Sequence, residues 1–147
     1  MCMRKIGKLI VHCSATQEGK PISVETIRKW HLKRGWRDIG YHFVIDLKGN
    51  VEEGRPIEMT GAHVKGENFD SIGICYIGGV EKERDKKGKW IAKDTRTPEQ
   101  KESLEDLLCR LKGLYPNSVV YGHNDFSSKS CPCFNAKEEY EWISNQF

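Results

Sequence analysis

Long apolar runs are missing from this chain. None approaches the roughly 18 consecutive apolar residues that a membrane-spanning helix needs, so no membrane insertion is expected. The first residues, Met1-Cys2-Met3-Arg4-Lys5-Ile6-Gly7-Lys8, lack the apolar core of a secretory signal, and a chain that is cytoplasmic as synthesised is expected. Internal repeats and low-complexity tracts are also absent, which speaks against an array or a tether. Charge of one sign is scarce as well. The 24 Lys and Arg against 21 Asp and Glu leave +3, and the excess is spread along the chain rather than gathered into a stripe. A nucleic-acid partner is therefore not expected.

What remains is the composition of an ordinary soluble protein, 37% hydrophobic and 31% charged over 147 residues. That length suits a single domain, residues 1–147, with a core that needs no disulfide staples. Six cysteines stand at positions 2, 13, 75, 109, 131 and 133. Two lie in apolar runs and one on a helical pattern, unlike a small secreted scaffold. They are expected to be reduced, with one serving as a metal ligand.

The pattern alternates between strands and helices. Leu9 to His12 reads as a buried strand, and Ser23 caps a helix that runs to about Arg34 and stops at Gly35. Tyr41–Ile45 and Val51–Arg55 flank the turn-rich Asp46-Leu47-Lys48-Gly49-Asn50, which predicts a hairpin. Ser71–Ile77 reads as a strand buried on both faces. The segment 81–96 is charged and aperiodic, hence a solvated excursion. Thr97-Pro98-Glu99-Gln100 has the chemistry of a helix start, with Leu104, Leu107, Leu108 and Leu111 as its core stripe. Asn135 and Glu138 open a last helix carrying Tyr140, Trp142 and Ile143. Interleaved strands and helices with an inserted hairpin predict an α/β fold, a central mixed sheet with helices on both faces.

Two histidines follow apolar runs: His12 after Leu9-Ile10-Val11, and His123, with Gly122 before it, after Val119-Val120-Tyr121. Cys131 and Cys133 follow within a short loop. Two strands ending side by side would bring His12, His123 and Cys131 together. Imidazole and thiolate donors suit Zn2+, and three of them leave a fourth tetrahedral position open, the mark of a catalytic rather than a structural site. Tyr41 and Lys129 stand beside this set as candidate catalytic groups. Lys129 and Cys131 are two apart, so in an extended segment they face the same way and the ammonium overhangs the metal. His42 then points away from Tyr41 and reads as a core or supporting histidine. His31 reads as a helix-surface or packing group.

Taken together, His12-Cys13-Ser14-Ala15-Thr16, Ile27-Arg28-Lys29-Trp30-His31, Gly35-Trp36-Arg37-Asp38-Ile39-Gly40-Tyr41-His42-Phe43, Gly61-Ala62-His63, Asn68, Ser71-Ile72-Gly73-Ile74 and Gly122-His123 with Lys129-Ser130-Cys131-Pro132 resemble the zinc-dependent type-2 N-acetylmuramoyl-L-alanine amidases. Within that group the likeness is to the amidase-type lysozymes of T-odd coliphages and, at greater distance, to the peptidoglycan recognition proteins. It covers residues 6–143. The resemblance implies His12, His123 and Cys131 as zinc ligands and Tyr41 and Lys129 as the groups needed for amide cleavage. It also implies a peptidoglycan or muropeptide substrate, and cell-wall lysis by a phage or prophage endolysin acting as a monomer after its release. Trp36, His63 and Asn68 are expected to contact sugar or stem peptide, since aromatic faces and side-chain amides suit amphipathic muropeptides. Two other functions come with the resemblance: a non-catalytic peptidoglycan-binding module, and an inhibitor of RNA polymerase. This sequence departs from the pattern at Cys133, where such lysozymes tend to carry no thiol, and at Asn124-Asp125. The Lys-x-Cys-Pro spacing selects Cys131 as the sulfur ligand.

Overall fold

Alternation along the strands sorts the core into two layers. The computed structural model describes residues 4–147, and Cys2 lies outside them. Strands β1 (Lys8–Cys13), β3 (Phe43–Ile45), β4 (Val51–Glu53), β5 (Ser71–Tyr76) and β7 (Val119–Gly122) form one sheet in the order β4-β3-β5-β1-β7. The contacts β3–β5, β5–β1 and β1–β7 are parallel and β3–β4 is antiparallel, so the sheet is mixed as expected. Both β1 and β5 have two strand neighbours and are covered on both faces, which is why they read as continuous apolar runs. Two short strands, β2 (Thr16–Gln17) and β6 (Gly79–Val80), pair separately.

On one face Leu9, Val11, Ile72, Ile74 and Val120 pack against the leucine stripe of helix α2 (Pro98–Leu114) and against Ile143 of the C-terminal segment. On the other face Val44 and Ile77 pack against Val24 and Ile27 of helix α1 (Val24–Lys33), together with Ile39. Helices therefore cover both faces. The caps anticipated from sequence are present. Ser23 Oγ accepts from Thr26 N at 3.1 Å, and Thr97 and Gln100 form a reciprocal capping box. Gln100 Nε2 also donates to the carbonyls of Ile45 and Ile77, which pins the start of α2 to the sheet. The hairpin turn is closed by Asp46, whose Oδ1 accepts from the amides of Lys48 and Asn50. No helix among the described residues is long and apolar enough to cross a membrane.

Two expectations need correction. The last helix is split into α3 (Ala136–Glu139) and α4 (Glu141–Ser144). The break falls at Tyr140, which has φ −109° and whose hydroxyl is held by Arg96 Nη1 at 2.8 Å. The charged segment 81–96 is not solvated throughout. Its middle turns back on itself, with Glu81 N donating to Ile91 O and Asp85 Oδ1 capping the amides of Lys87 and Lys89. Its end, Thr95 and Arg96, is buried. Arg96 is neutralised by Asp94 and Glu139 and stacks 3.4 Å from the centre of the Phe134 ring, so a residue that reads as surface charge sits in the core.

Candidate metal centre

The parallel register Val11↔Gly122 places the next residues, His12 and His123, side by side at the strand ends. Their ring centres are 4.8 Å apart. Cys131 comes from the turn beyond β7 and hangs on the end of β1, where the Cys13 amide donates to Cys131 Sγ at 3.1 Å. His12 Nδ1 lies 3.9 Å from the same sulfur. One donor atom each from His12, His123 and Cys131 fall within 4.8 Å of one another. This fits a metal ion bonded to nitrogen at ~2.0–2.1 Å and to sulfur at ~2.3 Å. The donor set anticipated from sequence is thus brought together.

Burial, reinforced by the imidazoles of His63 and His123 and by Lys129, holds His12 well below the usual histidine range. Burial also lowers His123, with Lys129 adding to the effect. Both rings are therefore neutral near pH 7 and offer a lone pair, which is the form that binds metal. Cys133 does not join them. Its sulfur touches Cys13 Sγ and the Gly79 carbonyl instead, at 3.9 and 3.2 Å.

A groove of about 560 Å³ opens beside the three donors, lined by His123, Tyr41, His63, Trp36, Asn68 and Lys129 among others. All five residues assigned from sequence to catalysis or substrate contact are on this wall. Tyr41 packs its ring 5.1 Å from that of His12, and burial pushes its phenol well above the ordinary range, so the hydroxyl keeps its proton. Lys129 is exposed at the rim, but not for the reason inferred from spacing. Residues 127–129 are bends rather than an extended strand, so the alternation argument does not apply. It is the turn after His123 that carries the ammonium to the groove.

Two histidines take positions that their sequence context did not reveal in full, and a third stands where it was expected. The His63 ring is edge-on to that of His12, with Nδ1 2.8 Å from His12 Nε2 and Nε2 3.2 Å from Ser71 Oγ. It supports a donor as well as lining the groove. Gly73 permits this, because a β-carbon there would fall 2.6 Å from the His63 ring. Asn68 Oδ1 accepts from the amides of His63 and Val64 and shapes the loop that presents His63. His31 is buried, not a surface group. Its Nδ1 accepts from Gly40 N at 2.8 Å, and its ring lies against Trp36 and Tyr41. His42 is the supporting histidine expected, accepting from Gly73 N at Nδ1 and donating from Nε2 to Met59 O.

The N-acetylmuramoyl-L-alanine amidase family pattern matches residues 3–134. The chain belongs to that family. It is similar to the endolysin of Enterobacteria phage T3, 44% identical over 133 residues, which cover 90% of this chain and 84% of that protein. It is also similar to peptidoglycan-recognition protein SC2 of Drosophila melanogaster, 32% identical over 139 residues, 91% of this chain and 68% of the other. Among solved structures, the endolysin N-acetylmuramoyl-L-alanine amidase LysCS of Clostridium intestinale superposes with a TM-score of 0.78 at 28% identity, covering 98% of this chain and 86% of that one. The chain is accordingly an amidase of the endolysin kind, with the mixed-sheet fold of its structural neighbours.

Proposed function

We propose that residues 1–147 act as a single, monomeric amidase domain that cleaves the amide between N-acetylmuramic acid and L-alanine in bacterial peptidoglycan, reaching the cell wall after release from the cytoplasm. In this reading His12, His123 and Cys131 hold Zn2+. The observation that carries it is the convergence of those three donors beside one groove that also contains Tyr41 and Lys129. Bound there, zinc supplies Lewis acidity, lowering the pKa of a water and polarising a carbonyl oxygen.

The protein's own groups do the rest. The Cys13 amide, donating to Cys131 Sγ, fixes where that sulfur stands at the end of β1. A thiolate lowers the positive charge of the site, and the Lys129 ammonium restores some of it where the tetrahedral oxyanion develops. Tyr41, kept protonated by burial, donates a hydrogen bond to that oxygen and has a proton to offer the leaving amine. Trp36 presents an aromatic face and Asn68 an amide to the sugar and stem peptide along the groove.

The test is the product of digestion. Purified peptidoglycan should yield new L-alanine amino termini without new reducing sugar ends. A chelator should stop the reaction and added Zn2+ should restore it. New reducing ends in a chelator-resistant reaction would mean glycosidic cleavage and would overturn the reading.

A further inference from the structure

Two sulfurs that the proposed chemistry does not use meet behind the metal centre. Cys13 Sγ and Cys133 Sγ are in contact at 3.9 Å, although the residues are 120 apart in sequence. Gly79 makes room for them, since a β-carbon there would fall 2.5 Å from Cys13 Sγ. Cys133 adopts φ 73°, a left-handed conformation that few non-glycine residues take, and its amide closes the turn onto Ser130 O. The same turn is held to β5 by Tyr76, whose hydroxyl donates to Pro132 O at 2.7 Å. The backbone is thereby committed to a shape that directs the Cys133 thiol at Cys13. Each thiol also adjoins a donor. Cys13 follows His12 and gives its amide proton to Cys131 Sγ, while Cys133 lies two residues beyond Cys131.

We infer that Cys13 and Cys133 form a reversible dithiol–disulfide pair that, when oxidised, clamps the turn bearing Cys131 to the end of β1. The expectation that all the cysteines stay reduced then holds for the cytoplasm only. A disulfide requires about 2.05 Å between sulfurs, so the pair must close by about 1.9 Å from its present contact, a small adjustment for a half-buried turn. The co-reactant is a small organic disulfide, RSSR. Cys133, the more accessible of the two, exchanges with RSSR to form a mixed disulfide, its proton leaving with the first RSH; Cys13 then displaces the second RS⁻ and gives it its own proton. Both protein thiols are oxidised, RSSR is reduced to two RSH, and the two thiol protons end on the departing thiolates. Cys131 is spared because its sulfur is committed to the metal, a step that rests on the zinc reading above. Reducing surroundings keep the pair open and oxidising ones, outside the cytoplasm, close it.

The test uses the zinc-loaded full-length protein equilibrated with mixtures of reduced and oxidised glutathione, trapped with iodoacetamide and mapped by mass. Expected at the oxidised end are the loss of two hydrogens per chain, a single cross-linked peptide joining Cys13 to Cys133, and retained zinc whose transfer to a chromophoric chelator is several-fold slower. Cys133→Ser should keep zinc and basal hydrolysis while losing both the link and the redox dependence of zinc transfer. Thiols that stay alkylatable throughout, a link that involves Cys131, or closure without slower zinc transfer would each overturn the inference. A protein that binds zinc and digests peptidoglycan yet never forms the link refutes this inference alone. One that forms the link but holds no zinc supports the pair and refutes the zinc assignment.

Discussion

His63 Nδ1 lies 2.8 Å from His12 Nε2, on the edge of the His12 ring turned away from the Cys131 sulfur. One proton serves both nitrogens. With that proton on His12 Nε2, the His12 Nδ1 lone pair faces Cys131, and His63 carries its own proton on Nε2 toward Ser71 Oγ at 3.2 Å. Burial pushes His63 down to about 3, so it stays a neutral acceptor at working pH. A hydrogen bond to the non-ligating nitrogen fixes both tautomer and ring orientation, and losing such a partner costs about 10–100-fold in metal affinity. His63→Ala should weaken zinc binding by that factor in competition with a chelator. Unchanged affinity would leave His63 as groove lining only.

The two thiols of the 131–133 turn should separate cleanly. Cys131→Ser removes the sulfur within 3.9 Å of His12 Nδ1 and should abolish stoichiometric zinc. Cys133→Ser changes an atom directed at Cys13 and Gly79 and should leave zinc at one per chain. Metal analysis after gel filtration decides between them, and the reverse pattern would transfer the ligand role to Cys133.

Tyr41 and Lys129 should act on turnover without holding the metal. Tyr41→Phe keeps the ring packed against His12 and His31 and removes only the hydroxyl. Lys129→Ala removes an exposed ammonium at the groove rim. Each should lower kcat by roughly a hundredfold, the scale of a group that stabilises developing charge, with zinc content unchanged. Wild-type turnover in Lys129→Ala would remove it from the mechanism.

How far the sequence was legible follows from the range of each interaction. Strands β1, β5 and β7 and the capped starts of α1 and α2 were readable because alternation, apolar runs and caps are local signals. The donor set was readable for a related reason: His12 and His123 each end an apolar run, and parallel strands align their ends. The support beneath it was not. The His63 to His12 bond spans 51 residues and depends on a loop crossing the sheet at Gly73. The burial of Arg96 depends on Glu139, 43 residues away, while its own neighbourhood reads as a run of charge. Cys133 reads only as a departure from the family pattern, because nothing in the local sequence says which way its thiol turns.

Acid should loosen the fold in a defined window. Burial pushes His31 and His42 each down to about 4, and both accept an amide proton at Nδ1 that protonation would displace. Their folded pKa lies below the unfolded value of about 6.5, so between these values the unfolded chain binds more protons and stability rises with pH. The contribution is complete above about pH 6.5 and is lost as pH falls toward 4. Glu139, held low by its hydrogen bonds with Arg96, extends the loss to lower pH with the same sign. In the presence of a chelator, which keeps metal release out of the measurement, Tm should fall steadily from pH 7 to pH 4.5. A flat Tm across that range would contradict neutral, buried imidazoles.

Two arginines offer a sharper contrast. The Arg96 side chain is 1% exposed and donates to Asp94, Glu139 and Tyr140 Oη, with Phe134 against its face. Arg110 meets Asp106 at 3.7 Å, where both side chains are more than 70% exposed. A solvated pair of the second kind contributes about 0–1 kcal/mol, so Arg110→Met should barely move Tm. Removing one partner of a buried pair costs about 3–5 kcal/mol, chiefly from the charge left behind. Here the abandoned carboxylates are 29% and 44% exposed and can turn toward water, which places Arg96→Met at the low end, about 3 kcal/mol. For a chain of this length that corresponds to a fall in Tm of roughly 10 °C. The Arg96 partners lie in the 94–96 segment and at the α3/α4 junction, none of them a metal donor, so zinc content should stay at one per chain. Thermal melts of the two variants beside the wild type decide the matter, and an Arg96→Met protein melting within a degree or two of Arg110→Met would show that the buried network contributes no more than a surface pair.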